Sequence, residues 1–243
     1  MSGHSRWAQI KHKKALTDAK KGQLFSKLVR EIMVAVRAGG AGLDTNPRLR
    51  SAMERARSIG LPKDNIDRAV SRASGGEDGT TLQEFLFEAA SPDGVLLIIE
   101  GITDNRNRAL AEIRHILAGF GAKLASPGSV LWNFEKVGLI ELAPGTGAAK
   151  TEEEAGLAII DAGAHDFKVA DDLWIVETDF HNRDRVHKNL EKRGLETKGV
   201  GHDYKPRATV SPPENTKGRT EELLDALAEH EDVQEVYTNL QEE

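Results

Sequence analysis

The 243-residue chain is 39% apolar, enough to build two or three compact units, and its 30% of charged residues is typical of a folded, soluble protein. It has no cysteine, which excludes disulfides, a thiolate nucleophile and a cysteine-ligated zinc site. The amino terminus lacks the apolar core of a signal peptide, and apolar runs such as residues 95–99 are far too short to cross a bilayer. A cytoplasmic protein is therefore expected.

Charge is divided unevenly along the chain. Residues 1–75 carry sixteen lysines and arginines against six aspartates and glutamates, a formal charge of +10. The remainder carries seventeen basic and thirty-three acidic side chains, a formal charge of −16. Because such a separation orients a protein on a polyanion, the predicted partner is a nucleic acid. The alternative is a solvated basic helix without a partner.

Residues 1–17 form a basic arm with few apolar side chains, so the arm buries little surface on its own. We expect it to dock loosely and to contact phosphates. Trp7 is suited either to stack on an exposed base or to pack against the first helix.

Three helices are predicted after the arm. Apolar residues at a spacing of three to four predict the first helix from Asp18 to the glycine pair at 39–40. Asn46 before Pro47 predicts a capped second helix, and Pro62 starts a third. The turn between the last two fits a DNA-reading helix-turn-helix, but any antiparallel helix pair needs such a turn, and we favour plain packing.

Basic residues on the outward faces of these helices extend the charged surface of the arm. In the arm and the first domain, the residues assigned to nucleic-acid binding are Arg6, Trp7, Lys11, Lys13, Lys14, Lys20, Lys21, Arg48, Arg50, Arg55 and Arg57.

A glycine-rich, acidic hinge at residues 75–79 separates the helices from short strands that alternate with helices. A hairpin over 82–103, a helix over 106–118 and a strand over 130–135 are predicted. This β-β-α-β run is one helix and one strand short of a closed two-layer unit.

Residues 137–200 follow the order β-α-β-β-α-β, which is the ferredoxin-like pattern. A helix over 219–230 and a strand over 233–240 then supply the elements that the earlier unit lacks. We therefore predict a multidomain α+β protein in which a three-helix domain precedes two ferredoxin-like α/β sandwich domains, the third inserted into the second. The predicted limits are 1–76, then 77–136 with 207–243, and 137–206.

No segment of the sequence supports catalysis. The loop at 143–151 resembles a phosphate cradle, but Pro144 and Ala149 stand where the motif needs glycine. The eight histidines lack the spacing of a metal site, and no Gly-x-Ser-x-Gly elbow occurs. We therefore predict a protein without enzymatic activity, metal or cofactor.

The segment Asp104–Arg108 places two guanidinium groups at the amino terminus of a helix. Free backbone amides and the helix dipole make such an end suited to a phosphate, so Arg106 and Arg108 join the predicted nucleic-acid contacts. The alternative is a helix cap at Asp104 or Asn105 with both arginines on nearby carboxylates.

The assembled motifs resemble those of the YebC/PmpR family nearly end to end. The resemblance rests on GHSRW (3–7), DAKKGQLFSKLVREI (18–32), NPRLR (46–50), LPKDNIDRA (61–69), DNRNR (104–108), GSV (128–130) and DVQEVYTN (232–239). It implies a helical first domain, two α/β domains around a cleft, and a cytoplasmic role in gene expression. Many members have a Tyr-Glu-Gly-Tyr-Gly-Pro turn, whereas residues 87–92 here read Phe-Glu-Ala-Ala-Ser-Pro and lack both tyrosines.

The resemblance implies two possible roles. Bacterial members are described as DNA-binding transcriptional regulators, and other members act on the ribosome and help translation through proline-rich stretches. We favour structured RNA on the ribosome, because the charge is spread over an arm and three helices and no recognition helix stands out. Duplex DNA is the alternative partner. A small-ligand or enzymatic site in the cleft is a more distant third.

Overall fold

The computed structural model describes residues 18–75, 81–146, 151–170 and 173–241. In these ranges the chain forms seven α-helices and two four-stranded antiparallel sheets, which confirms the predicted α+β class. No helix among the described residues is long and apolar enough to span a membrane.

The three predicted helices are present: α1 (Asp18–Gly39), α2 (Pro47–Ser58) and α3 (Lys63–Gly75). Leucines, isoleucines and alanines that recur at helical spacing form their common core. Asn46 fixes the turn between the first two helices. Its side-chain oxygen accepts from the backbone N–H of Leu49, and its amide donates to Ala35 and Gly40 carbonyls at 2.8 and 2.7 Å.

The first sheet has the strand order β3-β1-β2-β8. Its strands are β1 (Gln83–Ala90), β2 (Leu96–Thr103), β3 (Lys123–Leu124) and β8 (Val233–Thr238). Helix α4 (Arg106–Gly119) covers this sheet with Ala109, Ile113 and Leu117, which lie one turn apart and are fully buried. The predicted hairpin and helix are confirmed.

One predicted strand is wrong. Residues 130–135 do not pair with the first sheet. Leu131–Asn133 forms a short 3-10 helix, and the strand that follows belongs to the second sheet. The buried Glu88 carboxylate accepts the backbone N–H groups of Val130 and Leu131 at 2.6 and 2.9 Å, so these donors are not available to a strand ladder.

The second sheet has the strand order β5-β6-β4-β7. Its elements are β4 (Phe134–Leu142), α5 (Glu152–Asp161), β5 (Asp166–Ala170), β6 (Leu173–Asp179), α6 (Arg183–Lys192) and β7 (Thr197–Pro206). Both the succession of elements and the strand order are those of a ferredoxin-like unit. The first sheet has a different succession, β-β-α-β-α-β, so the ferredoxin-like description holds for the second sheet alone.

The carboxyl-terminal part returns to the first sheet. Helix α7 (Glu214–Glu229) begins five residues earlier than predicted, and β8 then lies beside β2. The first sheet thus takes its last strand from beyond the second sheet, although the exact limits of the three domains stay a prediction.

Candidate nucleic-acid interface

Part of the predicted interface falls outside the described residues. This applies to Arg6, Trp7, Lys11, Lys13 and Lys14 of the basic arm. Lys20 belongs to the first turn of α1, but its side chain also lies outside the described part of the chain, and Lys21 beside it is exposed.

Helix α2 carries four of the predicted arginines, and the structure separates their roles. Both terminal nitrogens of Arg48 contact the Glu84 carboxylate of β1, one of them at 3.1 Å. This hydrogen bonding raises the pKa of Arg48 above its ordinary value. Arg50 donates to the Leu43 carbonyl at 3.0 Å and lies 4.0 Å from Glu191 of α6.

The other two arginines of α2 differ in their surroundings, since Arg55 is paired inside the helical unit and Arg57 is exposed. Arg55 lies 3.3 Å from Glu31 of α1, and the charge of Glu31 raises the pKa of Arg55. Arg57 is exposed. Of the four arginines, Arg57 is therefore the best placed to meet a ligand, whereas Arg48, Arg50 and Arg55 stabilise contacts between elements of the protein.

Helix α1 also holds the helical unit onto the first sheet and α7. The Lys27 ammonium donates to the Ala228 carbonyl at 2.6 Å, and burial lowers the pKa of Lys27 to about 8. Arg30 lies 3.2 Å from Asp232, whose side chain is 1% exposed, and also contacts Glu231.

Arg108 contacts the other oxygen atom of each of these two carboxylates. Its guanidinium lies 2.9 Å from Asp104, 3.2 Å from Glu231 and 2.9 Å from Asp232. Asn105 caps α4 by accepting from the backbone N–H of Arg108 at 3.1 Å. Arg108 and Asn105 therefore adopt the capped, carboxylate-bound arrangement that was the alternative to a phosphate site.

Arg106 remains on the surface. Its guanidinium carbon lies 5.1 Å from the centre of the Phe87 ring, within range of a cation–π contact. Phe87 replaces the first tyrosine of the turn common in the family, so an aromatic ring is retained there. Among the described residues proposed from sequence, Lys21, Arg48, Arg57 and Arg106 are exposed, and of these Arg48 is paired with Glu84.

Sequence reasoning missed a polar cluster where the two sheets meet. Glu100 of β2 accepts from the Tyr204 hydroxyl at 3.0 Å and lies 2.8 Å from Nε2 of His202, both on β7. Lys136 of β4 lies 3.7 Å from the same carboxylate. Burial raises the pKa of Glu100, but the hydrogen bond with His202 and the nearby Lys136 charge outweigh burial and hold the pKa below its ordinary value.

A glycine positions this carboxylate. The pairing register of β2 shifts between Glu100 and Gly101, and a Cβ on Gly101 would lie 2.3 Å from the Asp232 carbonyl oxygen. The signals in the sequence were an acid inside the apolar run of β2 and the alternation of His202 and Tyr204 on β7. Neither signal identifies the partner strand.

Another missed feature is the loop before β4. The buried Glu88 carboxylate accepts from the backbone N–H groups of Gly128, Val130 and Leu131. This arrangement presents Trp132 on the surface, with 66% of its area exposed. Glu88 belongs to the altered turn at 87–92, so that turn keeps the residue that organises the loop.

Glu112, His230 and Asp232 lie close enough to hold a metal ion. The Nδ1 atom of His230 accepts from the backbone N–H of Asp232 at 3.1 Å, which places the proton of neutral His230 on Nε2, facing Glu112 at 3.0 Å. Asp232 is already bound by Arg30 and Arg108. These contacts account for the trio as part of the protein's own ion-pair network.

The geometry defines a three-part α+β protein in which a basic helical unit is fastened to two acidic α/β sheets. A family model described as "TACO1/YebC protein N-terminal domain" matches residues 5–76, and one described as "TACO1/YebC second and third domain" matches residues 82–240. The chain belongs to the TACO1/YebC family, which confirms the resemblance seen in its motifs.

Curated relatives match almost the whole chain. A protein of Thermotoga maritima is 44% identical over 99% of this chain and 94% of its own length. One from Thermomicrobium roseum is 45% identical over 98% of this chain and 96% of its own length. Both are named "Probable transcriptional regulatory protein".

A solved structure shares the fold. The crystal structure of a conserved hypothetical protein from Aquifex aeolicus has a TM-score of 0.84 and 40% sequence identity, and the match covers 98% of each chain.

Proposed function

We propose that this protein is a non-enzymatic regulator of gene expression that binds nucleic acid in the cytoplasm. Its target in this proposal is structured RNA on the ribosome, where it eases elongation through proline-rich stretches. The observation that carries the proposal is the division of charge, +10 over residues 1–75 and −16 over the rest. Such a division favours binding of a phosphate backbone by the first unit while the acidic units are repelled from it.

Recognition of RNA is supported over groove reading by the way in which the helical unit uses its arginines. Reading base edges in duplex DNA requires several Arg, Asn or Gln side chains projecting from one helix. In α3, Arg68 instead donates to the Asp64 carbonyl and the Asn65 side chain of its own helix. In α2, Arg48 and Arg55 bind carboxylates of the protein. The remaining exposed cations suit a backbone and its shape better than a base sequence.

A DNA-binding transcriptional regulator is the second candidate. The names of the relatives from Thermotoga maritima and Thermomicrobium roseum favour it. Binding of duplex DNA in vitro does not separate the two roles, because a basic surface binds any duplex with micromolar or weaker affinity at physiological salt.

Competition between RNA and DNA under a salt titration tests the proposal. The full-length protein is titrated with protein-free ribosomal RNA and with random-sequence duplex DNA. A variant with Arg6, Lys11, Lys13 and Lys14 changed to Gln is titrated in parallel. We expect the wild type to prefer the ribosomal RNA. The salt slope is the slope of the logarithm of the binding constant against the logarithm of the salt concentration. We expect its magnitude to be smaller in the variant by about 0.7 to 0.9 for each arm cation that binds a phosphate. A wild type without preference for the RNA, or a variant with an unchanged slope, would contradict the proposal.

A further inference from the structure

Helix α6 bears a stripe of cations inside the part of the chain that is acidic overall. Arg185, Lys188 and Lys192 are spaced by three and then four residues, so they lie on one face of the helix. All three side chains are exposed, and none of them makes a hydrogen bond or ion pair with another residue of the described ranges. The opposite face, with Val186, His187 and Leu190, is buried. The stripe is therefore the outer surface of a well-anchored helix.

The two acidic residues of α6, Asp184 and Glu191, each have a basic neighbour beside the stripe. Asp184 is held by the guanidinium of Arg183 at 3.1 Å. Glu191 lies 3.6 Å from Nε2 of His187 and 4.0 Å from Arg50 of α2. Burial lowers the pKa of His187, so its imidazole is neutral near pH 7 and does not offset Glu191. Helix α6 nevertheless carries four lysines and arginines against two acidic residues, a net charge of +2, although the part of the chain around it is acidic.

The stripe adjoins the basic helical unit. The contact between Arg50 and Glu191 joins α2 directly to α6. Burial raises the pKa of Glu54, while Arg50 and Arg57 lower it and Glu191 raises it, so both arginines and Glu191 surround this one carboxyl group. The exposed Arg57 and the cations of α6 consequently belong to two neighbouring helices.

We propose that this face of α6 is a second binding surface for the phosphate backbone of RNA, continuous with that of the helical unit. This inference rests on the proposed function and names a contact that the charge of the first unit alone does not require. Seven residues of helix span about 10 Å, so the three cations suit successive phosphates of a strand better than a single small anion. Long cationic side chains without an aromatic partner contact the backbone and position it, but do not read bases.

The test compares two variants with the same reduction in charge. In one, Arg185, Lys188 and Lys192 are changed to Gln. In the control, the exposed Arg114 of α4, Lys123 of β3 and Lys168 of β5 are changed to Gln. Both full-length proteins are titrated with protein-free ribosomal RNA over a series of salt concentrations, and their melting temperatures are compared with that of the wild type to check the fold.

We expect the log–log salt slope of the α6 variant to fall by about 2, at about 0.7 for each cation that binds single-stranded RNA, and that of the control to fall by less than half as much. Superimposable titrations of the two variants would contradict the proposal that the outer face of α6 binds RNA, but they would not contradict the proposed function. A wild type that does not bind the RNA would overturn the proposed function as well. An α6 variant with weaker affinity for random duplex DNA but unchanged affinity for the RNA would also contradict the inference, because the face would then bind DNA.

Discussion

The arginines of α2 and the cations of α6 look alike in the sequence, since both recur at helical spacing, but the fold uses them differently. Arg48 and Arg50 contact carboxylates outside the helical unit and fasten that unit to the rest of the protein, whereas Arg55 pairs with Glu31 inside it. Arg185 and Lys188 face outward from a region whose composition is acidic. A high local density of basic residues therefore does not by itself identify the cations that are free to bind a ligand.

The largest expected effect is on the free energy of unfolding, through the contact between Arg108 and the buried Asp232. Changing Arg108 to Ala should reduce the free energy of unfolding by about 2–3 kcal/mol, because it leaves the buried Asp232 with fewer compensating charges. Changing Arg106 to Ala is the matched control and should change it by at most about 0.5 kcal/mol. Equilibrium urea denaturation measures both. Equal stability of the two variants would show that the contacts of Arg108 are not structural.

Of similar size is a pH dependence where α1 contacts α7, at the Lys27 ammonium. The pKa of Lys27 is lowered by burial from 10.5 to about 8 in the folded protein. Between these values the unfolded chain binds more protons, so stability rises with pH, by up to about 3 kcal/mol across the window. Below about pH 8 the cost of the buried charge is fully present.

Changing Lys27 to Met removes this dependence. The difference in unfolding free energy between wild type and variant should therefore shift in favour of the wild type from pH 8 to 10.5. The Lys21 to Met variant, altered at an exposed site of the same helix, is the control and should follow the wild type. A constant difference for Lys27 across this range would mean that its pKa is not lowered.

The smallest effects compare two arginines of α2 directly. Changing the exposed Arg57 to Gln should reduce the salt slope of RNA binding by about 0.7, with no change in stability. Changing Arg48 to Gln should leave the slope unaltered and cost up to about 1 kcal/mol, since its pair with Glu84 is partly exposed. Filter binding and urea denaturation of both variants provide the readouts. The reverse pattern would exchange the roles assigned to these two residues.

Local signals account for the parts of the fold that the sequence predicts. The spacing of apolar residues located the helices, and the cap at Asn46 located the start of α2. The hairpin of β1 and β2 followed from the turn residues at 91–94, and Gly94 has the positive φ of 79° that such a turn requires.

Distant contacts account for what was missed. A strand was expected at 130–135, but residues 131–133 form a 3-10 helix. The reason is that the carboxylate of Glu88, 42 residues earlier, accepts from the backbone N–H of Val130. Arg48 binds Glu84, which is 36 residues away in the chain, and Lys27 donates to the carbonyl of Ala228, which is 201 residues away. Composition shows that these side chains are charged, but only the tertiary fold decides whether the partner is a carboxylate of the protein or a phosphate of a ligand.

The central claim, that the protein acts on RNA of the ribosome, is tested most directly by sedimentation of cell lysate at moderate salt with footprinting of any bound RNA. We expect reproducible comigration with ribosomes and a defined protected RNA region, and neither should be seen when Arg6, Lys11, Lys13 and Lys14 are neutralised. Absence from ribosomes, together with one protected DNA site preferred at least about a thousandfold over random duplex, would contradict the claim and establish the transcriptional role.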